Sequence, residues 1–139
     1  MRQLIQKELS YKLIGLFYKV HKELGRFCRE RQYGDLLEKY IQEVNIPYQR
    51  EIEISEGNRV DFQIEKKILI DIKAKPFITK EDYRQMQRYL QSTQIELGMI
   101  INFRNFYLKP KRILNTKLFH SEHPVRQPAD RILRIAYEN

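Results

Sequence analysis

The chain has 139 residues, 42% of them hydrophobic and 32% charged, with nine Tyr, seven Phe and no Trp. That is the length of one domain with enough apolar material for one buried core, which argues against separate cofactor and substrate lobes and against wholesale disorder. The 26 Lys and Arg against 18 Asp and Glu leave a formal charge of +8, which favours a polyanionic partner. A single cysteine, Cys28, excludes an intramolecular disulfide, and no Cys cluster or His spacing offers a zinc site, so the expected compartment is reducing and cytoplasmic.

In residues 1–24, Leu9, Leu13, Phe17, Val20 and Leu24 recur at spacings of three and four, the pattern of an amphipathic helix, with Gly25 as its stop. Lys7, Lys12, Lys19 and Lys22 are spread along it, so it reads as neither signal peptide nor membrane anchor. No apolar run nears the roughly 20 residues that span a bilayer, and no membrane partner is expected. A second helix is predicted over 29–44, with Tyr33, Leu36, Leu37, Tyr40, Ile41 and Val44 on one side and Asn45 and Pro47 closing it.

Beyond Pro47 the period changes to two. Residues 48–55 alternate Ile52 and Ile54 with charged neighbours, Glu56-Gly57-Asn58 supplies turn chemistry, and 59–64 and 68–74 read as two further strands joined by Glu65-Lys66-Lys67. Sharing one apolar face between those last two sets Val60 opposite Ile72, Phe62 opposite Ile70 and Ile64 opposite Ile68, and therefore Asp61 opposite Asp71. Thr79-Lys80-Glu81-Asp82 resembles a capping box opening a third helix to about residue 92, with Tyr83, Met86 and Leu90 as its stripe and Gln85 and Tyr89 on the other face. Residues 98–103 read as a buried strand, Arg104-Asn105 as a turn and 106–108 as a short partner strand. The predicted class is α/β, one domain over 1–139 with a mixed central sheet flanked by helices in αα-βββ-α-ββ order. Residues 115–139 form a basic extension of unassigned role, with a short element expected near 132–137; from Arg104 onward eight Lys or Arg face three acids.

Asp71 and Lys73, two apart on a strand, share a face, and the register adds Asp61 beside them. Opposed carboxylates about 5 Å apart repel by roughly 3 kcal/mol at an effective dielectric near 20, so the arrangement calls for a cation. Lys73 is one candidate for that cation. The other is Mg²⁺ held by Asp61 and Asp71, with Lys73 as a catalytic lysine. The plain alternative is a solvated strand face carrying a salt-bridge ladder.

Several stretches together resemble a known group. They are Lys19-Val20-His21-Lys22-Glu23-Leu24-Gly25, Glu30-Arg31-Gln32-Tyr33, Arg59-Val60-Asp61-Phe62, Ile70-Asp71-Ile72-Lys73-Ala74, Gln85-Met86-Gln87-Arg88-Tyr89 and Gly98-Met99-Ile100-Ile101-Asn102-Phe103. In this order, over about residues 10–114, the sequence resembles the GxxExxY proteins within the PD-(D/E)XK nuclease superfamily. Phe27 stands where that group's name has glycine, and Asp71 where the group usually has glutamate. The resemblance implies a restriction-endonuclease-like core with Glu30 joining Asp61 and Asp71 around a divalent metal. It also implies Lys73 as the catalytic lysine, with Gln85 and Tyr89 completing the site.

The expected activity is metal-dependent hydrolysis of phosphodiester bonds, with Mg²⁺ or Mn²⁺ as cofactor and DNA favoured over RNA. The alternative is a non-catalytic nucleic-acid-binding module or complex subunit that keeps the fold. Related nuclease folds often pair as homodimers, and no residue here decides that. The aromatic and basic run 104–112 matches the composition of a backbone-tracking surface, and equally that of an edge strand protected by lysines. Lys75, Arg88, Lys109, Lys111 and Arg112 are the candidate phosphate contacts. His21 reads as a hydrogen-bonded structural histidine and Cys28 as a small, partly buried residue; His120 and His123 sit in a proline-flanked tail.

Overall fold

Leu13, Phe17 and Val20 of the first apolar stripe are fully buried, and they lie on helix α1, Lys7–Leu24. The second stripe gives α2, Glu30–Glu43, which buries Tyr33, Leu37, Tyr40 and Ile41. These positions belong to a computed structural model that describes residues 4–119. The hairpin β1, Tyr48–Ser55, and β2, Asn58–Ile64, turns at Gly57, whose φ of 76° is open to glycine at no steric cost. β3, Ile68–Lys73, is followed by α3, Lys80–Thr93, and β4, Leu97–Asn102. The short β5, Lys111–Leu114, and a single helical turn α4, Thr116–Phe119, end the described chain.

The five strands lie in the order β1-β2-β3-β4-β5. β3 and β4 are parallel and every other neighbouring pair is antiparallel. A parallel pair needs a crossover, and α3 supplies it. One face of the sheet packs Phe62, Ile64, Ile68, Ile70, Ile72, Met99 and Ile101 against α1 and α2; the other packs Leu69, Ile100 and Ile113 against Tyr83, Met86, Tyr89 and Leu90 of α3. The second face closes tightly at Gly98, where an added Cβ would lie 2.6 Å from Met86 Cγ.

The register predicted for β2 and β3 holds at Phe62↔Ile70 and Ile64↔Ile68, and there the ladder ends. Val60 does not continue the face of Phe62: it packs with the α3 cluster, together with Ile52 and Ile54 of β1. The change of face falls between Arg50 and Ile52, where Glu51 has a φ of 53° and the Glu51 and Asp61 positions drop out of the pairing; a further register shift lies between Glu53 and Ser55. A left-handed residue inside a strand breaks the period-two alternation, so side chains beyond it change sides.

Three predictions need correction here. The strand expected at 106–108 is a loop, and the partner of β4 is β5, because pairing starts only at Ile100↔Lys111 and leaves 103–110 to cross the end of the sheet. Arg112 is not a surface cation: it is 3% exposed and donates to Ser10 Oγ at 2.6 Å and to the carbonyl of Ile5, tying β5 to the start of α1. Residues 115–119 belong to the body of the fold, since buried Asn115 donates to the carbonyls of Leu90 and Ile95, each at 3.0 Å. His120, His123 and the element expected near 132–137 lie outside the described residues.

Candidate active site

The site is built where β2 and β3 part. In place of the next ladder bond, Asp61 Oδ2 accepts the N–H of Ile72 at 2.6 Å, so the acid itself closes the gap between the strands. Asp71 lies beside it from β3, on the side of the sheet that carries α3. Burial, then the Asp71 charge, then a hydrogen bond to Asp71 push the Asp61 carboxyl up to about 8, against the Ile72 N–H, which lowers it. With two acids held this close, the charge of each disfavours charge on the other.

Lys73 Nζ lies 3.0 Å from Asp71 Oδ2 and 3.8 Å from Asp82 Oδ1. Burial lowers its pKa, but Asp71, Asp82 and Glu30 together outweigh burial and raise it above the ordinary lysine value. These neighbours favour the charged ammonium of Lys73. Tyr89 is buried on α3 beside this group: burial raises its pKa, the Asp71 charge adds to that, and Lys73 opposes it. Gln85, one turn earlier, is half-buried, and its side chain makes no hydrogen bond to another residue among the described residues.

Glu30 stands at the exposed first turn of α2. It borders, with Asp61, Arg31, Gly34, Arg50 and Ile72, a cleft of about 240 Å³ on the α2 side of the strand gap. Its charge acts on both Asp61 and Lys73. Gly34 leaves room for Arg50, whose Nη2 would be 2.7 Å from an added Cβ, and Arg50 is held by Asp35 at 2.7 Å and Glu38 at 3.0 Å. Among the described residues no group of three His, Cys, Asp or Glu side chains is arranged to hold a metal ion. The Asp61–Asp71 pair nonetheless has the chemistry of a divalent-cation site: a doubly charged ion between the two carboxylates would remove the repulsion that raises Asp61.

Two contributors escaped the sequence reading. Asp82 was legible only as a cap residue, and its Oδ2 does accept the Thr79 N–H at 2.7 Å. The same carboxylate takes Lys75 Nζ at 2.6 Å and faces Lys73, and these cations with the Thr79 hydrogen bonds hold it below the usual carboxylate range in spite of burial. Asn102, 3% exposed, ties down the chain leaving β3: its Nδ2 donates to the Lys75 carbonyl at 2.7 Å and its Oδ1 accepts the Lys75 N–H at 3.2 Å. Asp82→Asn keeps an oxygen for the cap and removes the charge that fixes the two lysines. Because the Asp82 carboxyl is held below the usual range, the variant is expected to melt below wild type at neutral pH and to lose that difference as pH falls through the carboxylate range, read by circular dichroism.

Of the other candidate phosphate contacts, Arg88 is exposed and paired with Glu81 at 2.9 Å, Lys75 is committed to Asp82, Lys109 is exposed and Lys111 is half-buried at the start of β5. His21 is the structural histidine expected, with Nε2 2.9 Å from the Asn105 carbonyl, and Cys28 is partly buried. Among the described residues no helix is long and apolar enough to cross a membrane.

A mixed sheet with helices on both faces, carrying acids and a lysine where two central strands part, defines a restriction-endonuclease-like fold. Residues 7–113 match the PD-(D/E)XK nuclease superfamily, and the chain belongs to it. Comparison with curated proteins and with solved structures returned no match.

Proposed function

We propose that this protein is a metal-dependent nuclease that hydrolyses phosphodiester bonds in DNA. The observation that carries the proposal is the meeting of Asp61, bonded to the Ile72 N–H at 2.6 Å, with Asp71, and the Lys73 ammonium 3.0 Å from Asp71. Membership of a nuclease superfamily and the basic charge of the chain support it. The narrower similarity to GxxExxY proteins supports Glu30 as the third acid.

Asp61 and Asp71 are the residues that would hold Mg²⁺, or Mn²⁺ in its place, and Glu30 on the cleft rim adds negative charge toward them. Such an ion, when bound, supplies charge that polarises a phosphoryl oxygen and lowers the pKa of an attacking water. Lys73 keeps its proton and offsets the negative charge that builds at phosphorus. Asp82 and Asp71 position that ammonium from two sides. Tyr89 and Gln85 border the group from α3, and Lys109 and Lys111 give the substrate backbone a cationic approach.

The test is incubation of the purified chain with supercoiled, linear and single-stranded DNA in Mg²⁺ or Mn²⁺. Products that EDTA abolishes are the expected result. Salt-sensitive binding without metal-dependent cleavage would instead assign the chain as a non-catalytic binding module.

A further inference from the structure

A second cleft of about 550 Å³ opens at the end of the sheet where the chain leaves β3 and β4, lined by Arg26, Phe27, Arg104, Phe106, Tyr107 and Lys109 among others. Its aromatic rings are out in solvent: Phe27 and Tyr107 are each 75% exposed and Phe106 is 65% exposed. Isolated surface aromatics need no explanation, but three in one cleft with three cations, and no acid in its lining among the described residues, form a patch that invites a partner.

The rings sit on loops that are held in place. Arg26 Nε donates to the Arg104 carbonyl at 2.9 Å and Arg104 Nε donates back to the Arg26 carbonyl at 3.2 Å, so the α1–α2 and β4–β5 loops clasp each other. Tyr18 and His21 of α1 fix the carbonyls of Leu108 and Asn105 at 3.1 and 2.9 Å. The Arg26 guanidinium lies 5.0 Å from the Phe27 ring centre and 5.7 Å from that of Phe106, and Phe106 meets Tyr107 edge-on at 4.8 Å. Arg104 also reaches the Ala74 carbonyl at 3.3 Å, next in sequence to Lys73, so the platform adjoins the candidate active site.

We infer that this cleft binds the unpaired bases of a single nucleic-acid strand, stacking them on Phe27, Phe106 and Tyr107 while Arg26, Arg104 and Lys109 neutralise the backbone. Flat rings with neighbouring cations suit bases, whose faces are exposed only when the strand is unpaired; in a duplex they are stacked on one another and out of reach. The inference deepens the nuclease reading by assigning unpaired strands as the substrate class, and its test is binding, which does not depend on cleavage.

Fluorescence anisotropy in EDTA would compare single-stranded DNA and RNA oligonucleotides of about 16 nucleotides with a duplex of the same sequence. Wild type is expected to favour a single strand over the duplex, and Phe27→Ala combined with Tyr107→Ala to weaken that binding about tenfold or more while leaving duplex binding and the melting temperature unchanged. Loss in either the DNA or the RNA arm supports the assignment and identifies the strand. Unchanged binding in both arms, or an equal loss for duplex, overturns it. If wild type favours the single strand and the aromatic variant loses it in a protein that never cleaves, the binding cleft stands and the nuclease reading falls; if wild type cleaves but the aromatic variant binds normally, the reverse holds.

Discussion

Replacing Lys73 by alanine is expected to reduce the rate of metal-dependent cleavage about 10²- to 10³-fold, the usual cost of removing one preorganised charge from a developing oxyanion. The geometry makes this ammonium hard to replace. It is mostly buried, 3.0 Å from Asp71 and 3.8 Å from Asp82, and its proton is held more tightly than that of an ordinary lysine. Arginine at this position would keep the charge and lose the point geometry, so Lys73→Arg should recover little. Asp71→Ala should be at least as severe, because it removes one half of the carboxyl pair and the nearer anchor of Lys73. Circular dichroism and single-turnover cleavage separate loss of fold from loss of chemistry. Cleavage that survives both alanine variants would remove these residues from the site.

Asp61 gives the second large effect, visible without any substrate. Its carboxyl is raised from an ordinary value of 3.8 to about 8 in the folded protein. Across that interval the native state holds a proton that the unfolded chain has released, so the native state binds more protons and stability falls as pH rises. The metal-free protein in EDTA should therefore melt at progressively lower temperature between about pH 5 and pH 8. Asp61→Asn keeps an oxygen for the Ile72 N–H and places a neutral amide beside Asp71. It should flatten that slope and melt above wild type near pH 8. Added Mg²⁺ should raise the melting temperature of wild type at this pH and leave Asp61→Asn unmoved, since ligand bound only by the native state stabilises it. An equal pH slope in the two proteins would show that the Asp61 carboxyl is not raised.

The helices were legible because their stripes fill one side of a 3.6-residue period, and Leu13, Phe17, Val20, Tyr33, Leu37 and Ile41 are fully buried as those stripes require. The hairpin turn at Gly57 and the pairing of Phe62 with Ile70 were legible for a similar reason: turn residues and alternation act over a few positions. The change of face at Glu51 was not. A left-handed φ at a glutamate has no composition signal, yet it interrupts the pairing opposite Asp61, an acid that bonds Ile72 and meets Asp71. The aromatic run at 106–108 read as a strand because its residues favour strands, but Phe106 and Tyr107 stay in solvent while strand pairing waits for Lys111.

Sequence alone determined the class of fold, the order of its elements through β4 and the acid–lysine pair of β3, because those follow from spacing along one chain. Tertiary structure decided what each charge does. Arg112 looked like a surface cation and is buried against Ser10 and Ile5; Asp82 looked like a cap and also anchors Lys75 beside Lys73. Periodicity says which side of an element is apolar, but the energy of a charge depends on its burial and on which opposite charges or dipoles lie within a few ångströms. Those neighbours come from segments up to a hundred residues away, and only the packing of α1, α3 and the sheet brings them together.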